Sequence, residues 1–146
     1  MSVLCEAGGD GGGAVSKVLI LMGSESDRER MEKALPILTE AGVEADVQVS
    51  SAHREPDRTA ELARTAEAQG YRVVICGAGL SAALPGVVAA YTPLPVIGVP
   101  LSAALGGLDA LLSIVQMPPG VPVACVGIDN AKNAAHLALR ILRLTS

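Results

Sequence analysis

Length, composition and charge limit the functions open to this chain. Its 146 residues are enough for one ordinary domain, and because half of them are apolar the chain can bury a sizeable core. The formal net charge is −4, no run of Lys or Arg occurs, and no apolar run is long enough to cross a bilayer, so we expect neither a nucleic-acid nor a membrane partner.

The three cysteines, Cys5, Cys76 and Cys125, indicate the compartment rather than a site. They lack a Cys-x-x-Cys spacing and a matching histidine pattern, so we expect no metal site. Cys76 and Cys125 lie in apolar runs, where a thiol packs as a small hydrophobe, and we do not expect a disulfide. Unpaired thiols are typical of a reducing compartment, which predicts a cytoplasmic protein.

The first 16 residues differ from the rest, because positions 8–13 read Gly-Gly-Asp-Gly-Gly-Gly. Such a segment buries too little apolar surface to offset its chain entropy. We therefore expect a flexible Gly-rich segment over residues 1–16 and a single α/β domain over residues 17–146. A phosphate-binding loop is not indicated, because no strand precedes the glycines and no Gly-Lys-Ser/Thr sequence ends them.

Five apolar runs predict five β-strands. The run over residues 17–22 (KVLILM) is continuous, as in a strand that is buried on both faces. Residues 43–49 alternate apolar and polar side chains, as in a strand with one wet face near the edge of a sheet. The other three runs cover residues 72–76, 95–99 and 121–127.

Helical patterns lie between and after these runs. Pro36 should kink or interrupt the first helix because proline has no backbone N–H, and Ser26 or Asp27 can cap its start. Gly106 and Gly107 should loosen the fourth helix. The predicted helices cover residues 28–41, residues 55–69, a short Ala/Val stretch ending near residue 91, part of residues 101–114, and residues 130–144.

Strands that alternate with helices at roughly thirty-residue spacing are typical of βαβ units. They predict a three-layer αβα fold of the flavodoxin or Rossmann-like type, with one parallel sheet of about five strands. In such sheets ligands bind beyond the carboxyl ends of the strands. The turns after the first three strands, at residues 23–27, 50–55 and 77–83, would all lie at that edge, so we predict the functional site there.

His53 is the residue in these turns best suited to acid–base chemistry. An imidazole can give and take a proton near neutral pH, and the polar Ser-Ser-Ala-His-Arg sequence favours function over a capping or core histidine. Arg54 offers a fork of donors to a phosphate or carboxylate, although pairing with Glu55 or Asp57 is the alternative. Asp27 is suited to accept hydrogen bonds from sugar hydroxyls or, equally, to cap the helix.

Two competing classes of function have weaker support. A nucleophilic enzyme would need an exposed, electropositive Cys76, whose neighbours are apolar, and Ser81 is not in a Gly-x-Ser-x-Gly turn. A nucleotide-binding module without chemistry would rely on Gly77-Ala78-Gly79, which is only half of a dinucleotide-binding fingerprint. His136 lies in mid-helix, and we predict a structural role or a subunit contact for it.

Several short sequences together resemble the PurE family, the 5-(carboxyamino)imidazole ribonucleotide mutases of purine biosynthesis. They occur in the family's order from Lys17 almost to the end of the chain, and the set is specific although each member alone is weak. The sequences are Met22-Gly23-Ser24-Glu25-Ser26-Asp27, Ser51-Ala52-His53-Arg54-Glu55-Pro56, Gly77-Ala78-Gly79, Leu84-Pro85-Gly86, Gly98-Val99-Pro100 and Ser113-Ile114-Val115-Gln116-Met117-Pro118.

The resemblance implies a homo-octameric enzyme that moves a carboxylate from the exocyclic amine to carbon four of an imidazole ribonucleotide, without a metal or an organic cofactor. It implies that His53 is the catalytic proton carrier, which protonates the departing amine and later takes the ring proton. By the same resemblance, the phosphate and ribose contacts are Ser24, Ser26, Asp27, Ser51 and Arg54. The carboxylate pocket is shaped by Ala78, Gly79 and Leu84.

Two departures from the family pattern bear on these implications. Bacterial mutases usually read Gly-Ala-Gly-Gly-Ala-Ala-His-Leu-Pro-Gly, whereas here Leu80 replaces a glycine and Ala83 replaces the histidine. Because that histidine lies near the family's active site, its replacement affects substrate choice or rate. The chain also stops at Ser146, without the further C-terminal helix of many members, which affects the expected octamer.

The alternatives within the resemblance stay open. Ala82-Ala83-Leu84-Pro85 and Ile128-Asp129-Asn130 resemble a related branch, the pyridinium-dicarboxylate synthases, whereas Ser-Ala-His-Arg and Ser-Ile-Val-Gln-Met-Pro favour the mutases. Animal-type carboxylases fit less well, because their Ala-Gly-Arg-Ser-Asn sequence is absent. We expect a mutase; the alternatives are a PurE-like carboxylase or decarboxylase of another heterocyclic nucleotide and a non-catalytic nucleotide-binding relative.

Overall fold

A parallel sheet of five strands, in the order β2-β1-β3-β4-β5, forms the centre of the fold. The computed structural model describes residues 15–145, so most of the predicted flexible segment, Cys5 included, lies outside the described residues. This order is the doubly wound, flavodoxin-like one, and the predicted α/β fold is confirmed. The strands are β1 (Lys17–Met22), β2 (Glu44–Val49), β3 (Tyr71–Gly79), β4 (Val96–Leu101) and β5 (Ala124–Cys125).

The strand bounds confirm the prediction for β1 and differ most for the last three strands. β1 is buried almost throughout, and β2 is a partly exposed edge strand, as its alternation indicated. β3 and β4 run further than predicted, because Gly79 pairs with Leu101 beyond Pro100. β5 has only two residues instead of the predicted seven-residue run over 121–127; Pro122 has no backbone N–H to contribute to a sheet.

The predicted helix over residues 28–41 is interrupted, as Pro36 required. A 3₁₀ turn (Glu25–Asp27) leads into α1 (Arg28–Met31), a second 3₁₀ turn (Glu32–Ala34) follows, and α2 (Leu35–Glu40) completes the segment. Proline cannot donate to the carbonyl four residues before it, and its ring crowds that carbonyl. In this chain that carbonyl belongs to Glu32, where the tighter turn begins.

Glycine conformation and a side-chain cap determine where two of the remaining helices begin. α5 starts only after Gly106 and Gly107, whose φ angles are +62° and +87°, a left-handed conformation that favours glycine. The side chain of Asn130 accepts a hydrogen bond from the Asn133 N–H at 3.0 Å and caps α6. These helices are α3 (Pro56–Thr65), α4 (Leu84–Tyr91), α5 (Leu108–Val115) and α6 (Ala131–Leu144).

Side chains on opposite faces of the sheet form two cores, which gives the three predicted layers. Val18 and Ile20 of β1 pack with Met31, Leu38 and α6 on one face. Leu19 and Leu21 pack with residues of α3, α4 and α5 on the other face.

Glycines allow helices on both faces to approach closely. A Cβ atom added to Gly77 would overlap the sulfur of Met31, and one added to Gly98 would overlap a methyl group of Ile114. The Met31 side chain of α1 therefore occupies the space that a side chain at position 77 would need.

Candidate active site

A cavity at the carboxyl edge of the sheet brings the predicted site residues together. Its volume is about 390 Å³, and the turns after β1, β2 and β3 enclose it. This edge lies at the point where β1 and β3 are neighbours and the chain order reverses, which is the usual ligand position in such sheets. Each residue proposed from the sequence lines it: Ser24, Ser26, Asp27, Ser51, His53, Arg54, Ala78, Gly79 and Leu84.

The turn after β1 contributes two exposed hydroxyls and a buried carboxylate. The Ser24 side chain accepts a hydrogen bond from the Ser26 N–H at 3.3 Å, and the two hydroxyl oxygens are 2.9 Å apart. Ser24 is therefore the cap of this segment, and the predicted capping by Ser26 or Asp27 is wrong. Asp27 instead binds Arg30 through Oδ1 at 2.8 Å.

The turn after β2 is held by its own polar groups, which leaves two functional side chains free. The Arg54 N–H donates to Ser51 Oγ at 3.2 Å, and the buried Ser50 and Thr59 hydroxyls are 2.7 Å apart. Neither the His53 imidazole nor the Arg54 guanidinium has a partner within residues 15–145, and both side chains are exposed. The alternative pairing of Arg54 with Glu55 or Asp57 is not observed.

The apolar wall of the cavity is formed by the end of β3, the start of α4 and the turn between them. Ala78 and Leu84 are buried, and Gly79 lies so close to β4 that an added Cβ would be 3.2 Å from the Leu101 carbonyl oxygen. Ala83 is half-buried and presents only a methyl group. Leu80 has a φ of +56° and is 54% exposed, a combination that is unfavourable for a branched side chain.

Arg30 also lines the cavity, and the sequence analysis missed it. Besides Asp27, it donates from Nη1 to the Ser102 carbonyl oxygen at 2.9 Å and to Asp129 Oδ1 at 3.0 Å. The three-residue spacing on a helix could have suggested the pair with Asp27. No local signal points to Ser102 or Asp129, because they follow β4 and β5 in the chain.

The residues that would have supported other classes of function have ordinary structural surroundings. Cys76 is fully buried in β3, and burial raises the pKa of its thiol well above the usual range, which leaves it unreactive. Burial also raises the pKa of Cys125. His136 is exposed on α6, so it is not a core histidine.

Residues 15–145 hold neither a membrane-spanning helix nor a cluster of metal ligands. No helix in that range is long and apolar enough to cross a membrane. Over the same residues, no three or more His, Cys, Asp and Glu side chains are grouped so that they could hold a metal ion.

Comparison with known proteins gives concordant results. The family model described as AIR carboxylase matches residues 17–146. The N5-carboxyaminoimidazole ribonucleotide mutase of Pyrococcus abyssi is 60% identical over 129 residues, which are 88% of this chain and 74% of that protein. The mutase of the same name from Methanocaldococcus jannaschii is 58% identical over 127 residues, 87% of this chain and 79% of that protein.

Two further relatives differ in length or in divergence. A phosphoribosylaminoimidazole carboxylase of Schizosaccharomyces pombe is 57% identical over 124 residues, which are 84% of this chain but 22% of that protein. The crystal structure of Treponema denticola PurE superposes with a TM-score of 0.80 at 34% identity, covering 90% of this chain and 82% of that chain.

Proposed function

This chain belongs to the AIR carboxylase family, the PurE family that its motifs resemble, and from that premise we propose that it is an N5-carboxyaminoimidazole ribonucleotide mutase of de novo purine biosynthesis. As an isomerase, it would move a carboxylate from the exocyclic amine to carbon four of the imidazole ring. The observation that carries the proposal is that an imidazole, a free guanidinium and a buried carboxylate meet an apolar wall in one cavity.

The phosphate and ribose of the substrate are assigned to the turns after β1 and β2. The Arg54 guanidinium is free to bind a phosphate through two parallel hydrogen bonds. Ser51 Oγ already accepts the Arg54 N–H, so its own O–H remains available to donate to a phosphate oxygen. Ser24 and Ser26 add two more exposed hydroxyls, and Asp27 offers a carboxylate to the ribose hydroxyls.

His53 is proposed as the group that moves the proton. In the first step the bond between the amine nitrogen and the carboxylate carbon breaks, carbon dioxide leaves, and protonated His53 gives its proton to the nitrogen. In the second step the electron-rich ring carbon attacks carbon dioxide, and neutral His53 takes the proton that this carbon loses. The imidazole ends in its starting state, as an acid–base catalyst must.

Ala78, Gly79 and Leu84 are proposed to retain carbon dioxide between the two steps. The molecule is small and uncharged, and these residues offer an apolar wall without side-chain polar groups. Retention keeps the reacting carbon atoms close, which replaces a bimolecular encounter by an intramolecular one. The proposed course changes no oxidation state, so it requires neither a metal nor an organic cofactor.

We extend the proposal to a homo-oligomer, an octamer by the family resemblance. Leu108, Leu112 and Val115 form a row along α5, and each side chain is about half exposed at 53%, 50% and 49%. An apolar row of this kind on a helix surface is typical of a contact between subunits. Light scattering of the full chain tests it, because a monomeric wild type would contradict the extension, and Leu112→Glu should reduce the assembled mass.

We also place the proposed reaction in the cytoplasm. Cys76 and Cys125 are free thiols, which is typical of proteins in a reducing compartment. Detection of the chain in an oxidising compartment of its source cell would contradict this placement.

An assay with two substrates tests the reaction. Purified protein is given N5-carboxyaminoimidazole ribonucleotide labelled in its carboxylate, or the uncarboxylated ribonucleotide with bicarbonate, and the carbon-carboxylated product is followed by ultraviolet absorbance and mass. A mutase forms product from the first substrate and keeps the label when unlabelled bicarbonate is present. Product from the second substrate alone would overturn the mutase in favour of a carboxylase, and no product from either would overturn both.

A second candidate function is carboxylation or decarboxylation of another heterocyclic nucleotide. The observation that favours it is Ala83, which leaves space in the cavity wall where the resemblance implies a histidine. Turnover of a nucleotide with a larger ring, together with none of the imidazole ribonucleotide, would establish it. In that case Ala83→His should lower the turnover of the larger ring. If the protein is a mutase, the added donor should instead raise the turnover of the imidazole ribonucleotide by about tenfold, the effect of one hydrogen bond to a charged group.

A further inference from the structure

Arg30 is the side chain of the cavity whose contacts the proposed function leaves unexplained. Its Nη2 donates to Asp27 Oδ1 at 2.8 Å. The Asp27 side chain is 12% exposed and that of Arg30 is 31% exposed. A buried carboxylate is stable only with a partner, so a pair of this kind is expected. Burial alone does not explain why the partner of Asp27 is an arginine.

The other end of the same guanidinium joins two distant turns. Its Nη1 donates to the Ser102 carbonyl oxygen at 2.9 Å and to Asp129 Oδ1 at 3.0 Å. Asp129 Oδ1 also accepts the Ser102 N–H at 2.9 Å, and the Asp129 N–H donates to the Pro100 carbonyl oxygen at 2.8 Å. The turns after β4 and β5 therefore hold the end of the guanidinium that does not contact Asp27.

This arrangement leaves one oxygen of Asp27 for a ligand. Oδ1 is held by Arg30, while Oδ2 accepts no hydrogen bond from the part of the chain that the structure describes. The planar guanidinium, which is held at its other end, fixes the position of Asp27 Oδ1 more firmly than a flexible ammonium would. A lysine at position 30 could reach one of the two aspartates but would not hold both ends.

We propose that Arg30 is a positioning residue, which orients Asp27 so that its free oxygen accepts hydrogen bonds from the ribose hydroxyls of the substrate. The inference rests on the proposed function, because it takes the ligand to be a ribonucleotide. Arg30 acts on the substrate only by orienting Asp27. Loss of Arg30 therefore weakens substrate binding and leaves the chemical step unchanged. A purely structural Arg30 would affect stability without affecting the recognition of ribose hydroxyls.

Kinetics of Arg30→Met, Arg30→Lys, Asp27→Asn and the double variant Asp27→Asn/Arg30→Met test the inference. We expect Arg30→Met to raise KM about tenfold while kcat stays within about twofold, the pattern of lost uniform binding, and Arg30→Lys to restore part of the loss. The double variant should bind no worse than Asp27→Asn alone, because residues that act as a unit are not additive. Arg28→Met is the matched control, since Arg28 lies on the same short helix but pairs with Glu25 and Glu32.

A binding experiment separates this inference from the proposed function. Calorimetry compares ribose 5-phosphate with 2-deoxyribose 5-phosphate, and the wild type should prefer the ribose sugar whereas Arg30→Met should not. A wild type without turnover overturns the proposed function, and the sugar titrations then decide the role of Arg30 alone. An unchanged KM and sugar preference in folded Arg30→Met overturns the inference. If that variant does not fold, Arg30→Lys and the double variant decide it in the same way, because the double variant leaves no buried carboxylate unpaired and the more exposed Asp129 keeps the Ser102 N–H.

Discussion

The two ends of strands β1, β2 and β3 both carry polar clusters, and they differ in what the side chains bind. At the amino ends, Tyr71 donates to Asp46 Oδ2 at 2.5 Å, Lys17 lies 3.7 Å from the same carboxylate, and its ammonium is 4.6 Å from the centre of the Tyr71 ring. Each member of this cluster is the partner of another member. The cluster therefore stabilises the sheet and has little capacity left for a ligand.

At the carboxyl ends, some polar side chains hold the turns, whereas others have no partner among the described residues. Ser51 and Ser50 hold the turn after β2, and His53 and Arg54 remain exposed without partners in the described residues. Exposed polar side chains that have no partner in the protein, such as these two, can bind a ligand. Substitutions at the carboxyl ends should therefore change kcat or KM, whereas substitutions at the amino ends should change the free energy of unfolding.

The largest expected effect is that of His53→Asn. Loss of the proton carrier should lower kcat by about 10³-fold, within the usual range for a general acid–base group. Because His53 is exposed, the free energy of unfolding should change by less than about 0.5 kcal/mol. Steady-state kinetics and urea unfolding measure the two effects, with the exposed His136→Asn as the control. Near-full turnover of His53→Asn would contradict the assignment of the proton carrier.

Arg54→Ala should weaken substrate binding. A hydrogen-bonded contact between charged groups contributes about 2 kcal/mol, so KM should rise about 30-fold with little change in kcat. Arg140→Ala, which removes an exposed arginine from α6, is the control and should leave KM unchanged. If both variants bound the substrate equally well, the phosphate would have to be placed elsewhere in the cavity.

Tyr71→Phe should act on stability and not on turnover. Burial, and then the hydrogen bond to Asp46, raise the pKa of Tyr71 from 10.0 to about 12. Because the folded-state pKa is raised, the contribution of the neutral phenol to stability is complete below pH 10 and is lost as the pH rises to about 12. The variant should lose about 1 kcal/mol at neutral pH.

Urea unfolding between pH 7 and pH 12 checks this prediction. The difference in free energy of unfolding between wild type and Tyr71→Phe should stay constant up to about pH 10 and shrink between pH 10 and about pH 12. Tyr91→Phe is the control, because Tyr91 is 42% exposed and lies beside Arg64 instead of a carboxylate. A difference that stayed constant with pH would show that the Tyr71 hydroxyl does not contribute in this way.

The smallest expected effect is at the turn after β3. Leu80→Gly relieves the left-handed backbone conformation but adds chain entropy to the unfolded state, so the net gain in stability should be about 0.5 kcal/mol. Leu105→Gly makes the same change at an exposed leucine outside that conformation, and it should destabilise the protein. Equal destabilisation by both substitutions, measured by thermal unfolding, would show that Leu80 is not strained.

The parts of the fold that local patterns determine could be predicted from the sequence. The apolar run of β1 and the alternation of β2 gave their positions directly, and Pro36 predicted the interruption after α1. The extension of β3 and β4 was missed because it depends on pairing between Gly79 and Leu101, which is not a local property. For the same reason the two residues of β5 could not be separated from the longer apolar run around them.

The same difference between local and long-range signals applies to the residues of the candidate site. His53 and Arg54 were found because they follow a predicted strand, and parallel strands bring such turns to one edge. Arg30 was missed because its contacts with Ser102 and Asp129 are 72 and 99 positions away in the chain. The roles proposed for these residues remain predictions, since their shared cavity fixes their positions and not their chemistry.

The close contact at Gly77 has a consequence for anyone who redesigns this protein. The space of its missing side chain is filled by the side chain of Met31, the residue next to Arg30, so even an alanine there would force the fully buried Met31 side chain to repack beside Arg30. A combinatorial library aimed at new substrates should therefore keep Gly77 and the buried Ala82 constant and randomise positions 80, 81 and 83. The tolerant and intolerant positions lie only a few residues apart in the same stretch of sequence.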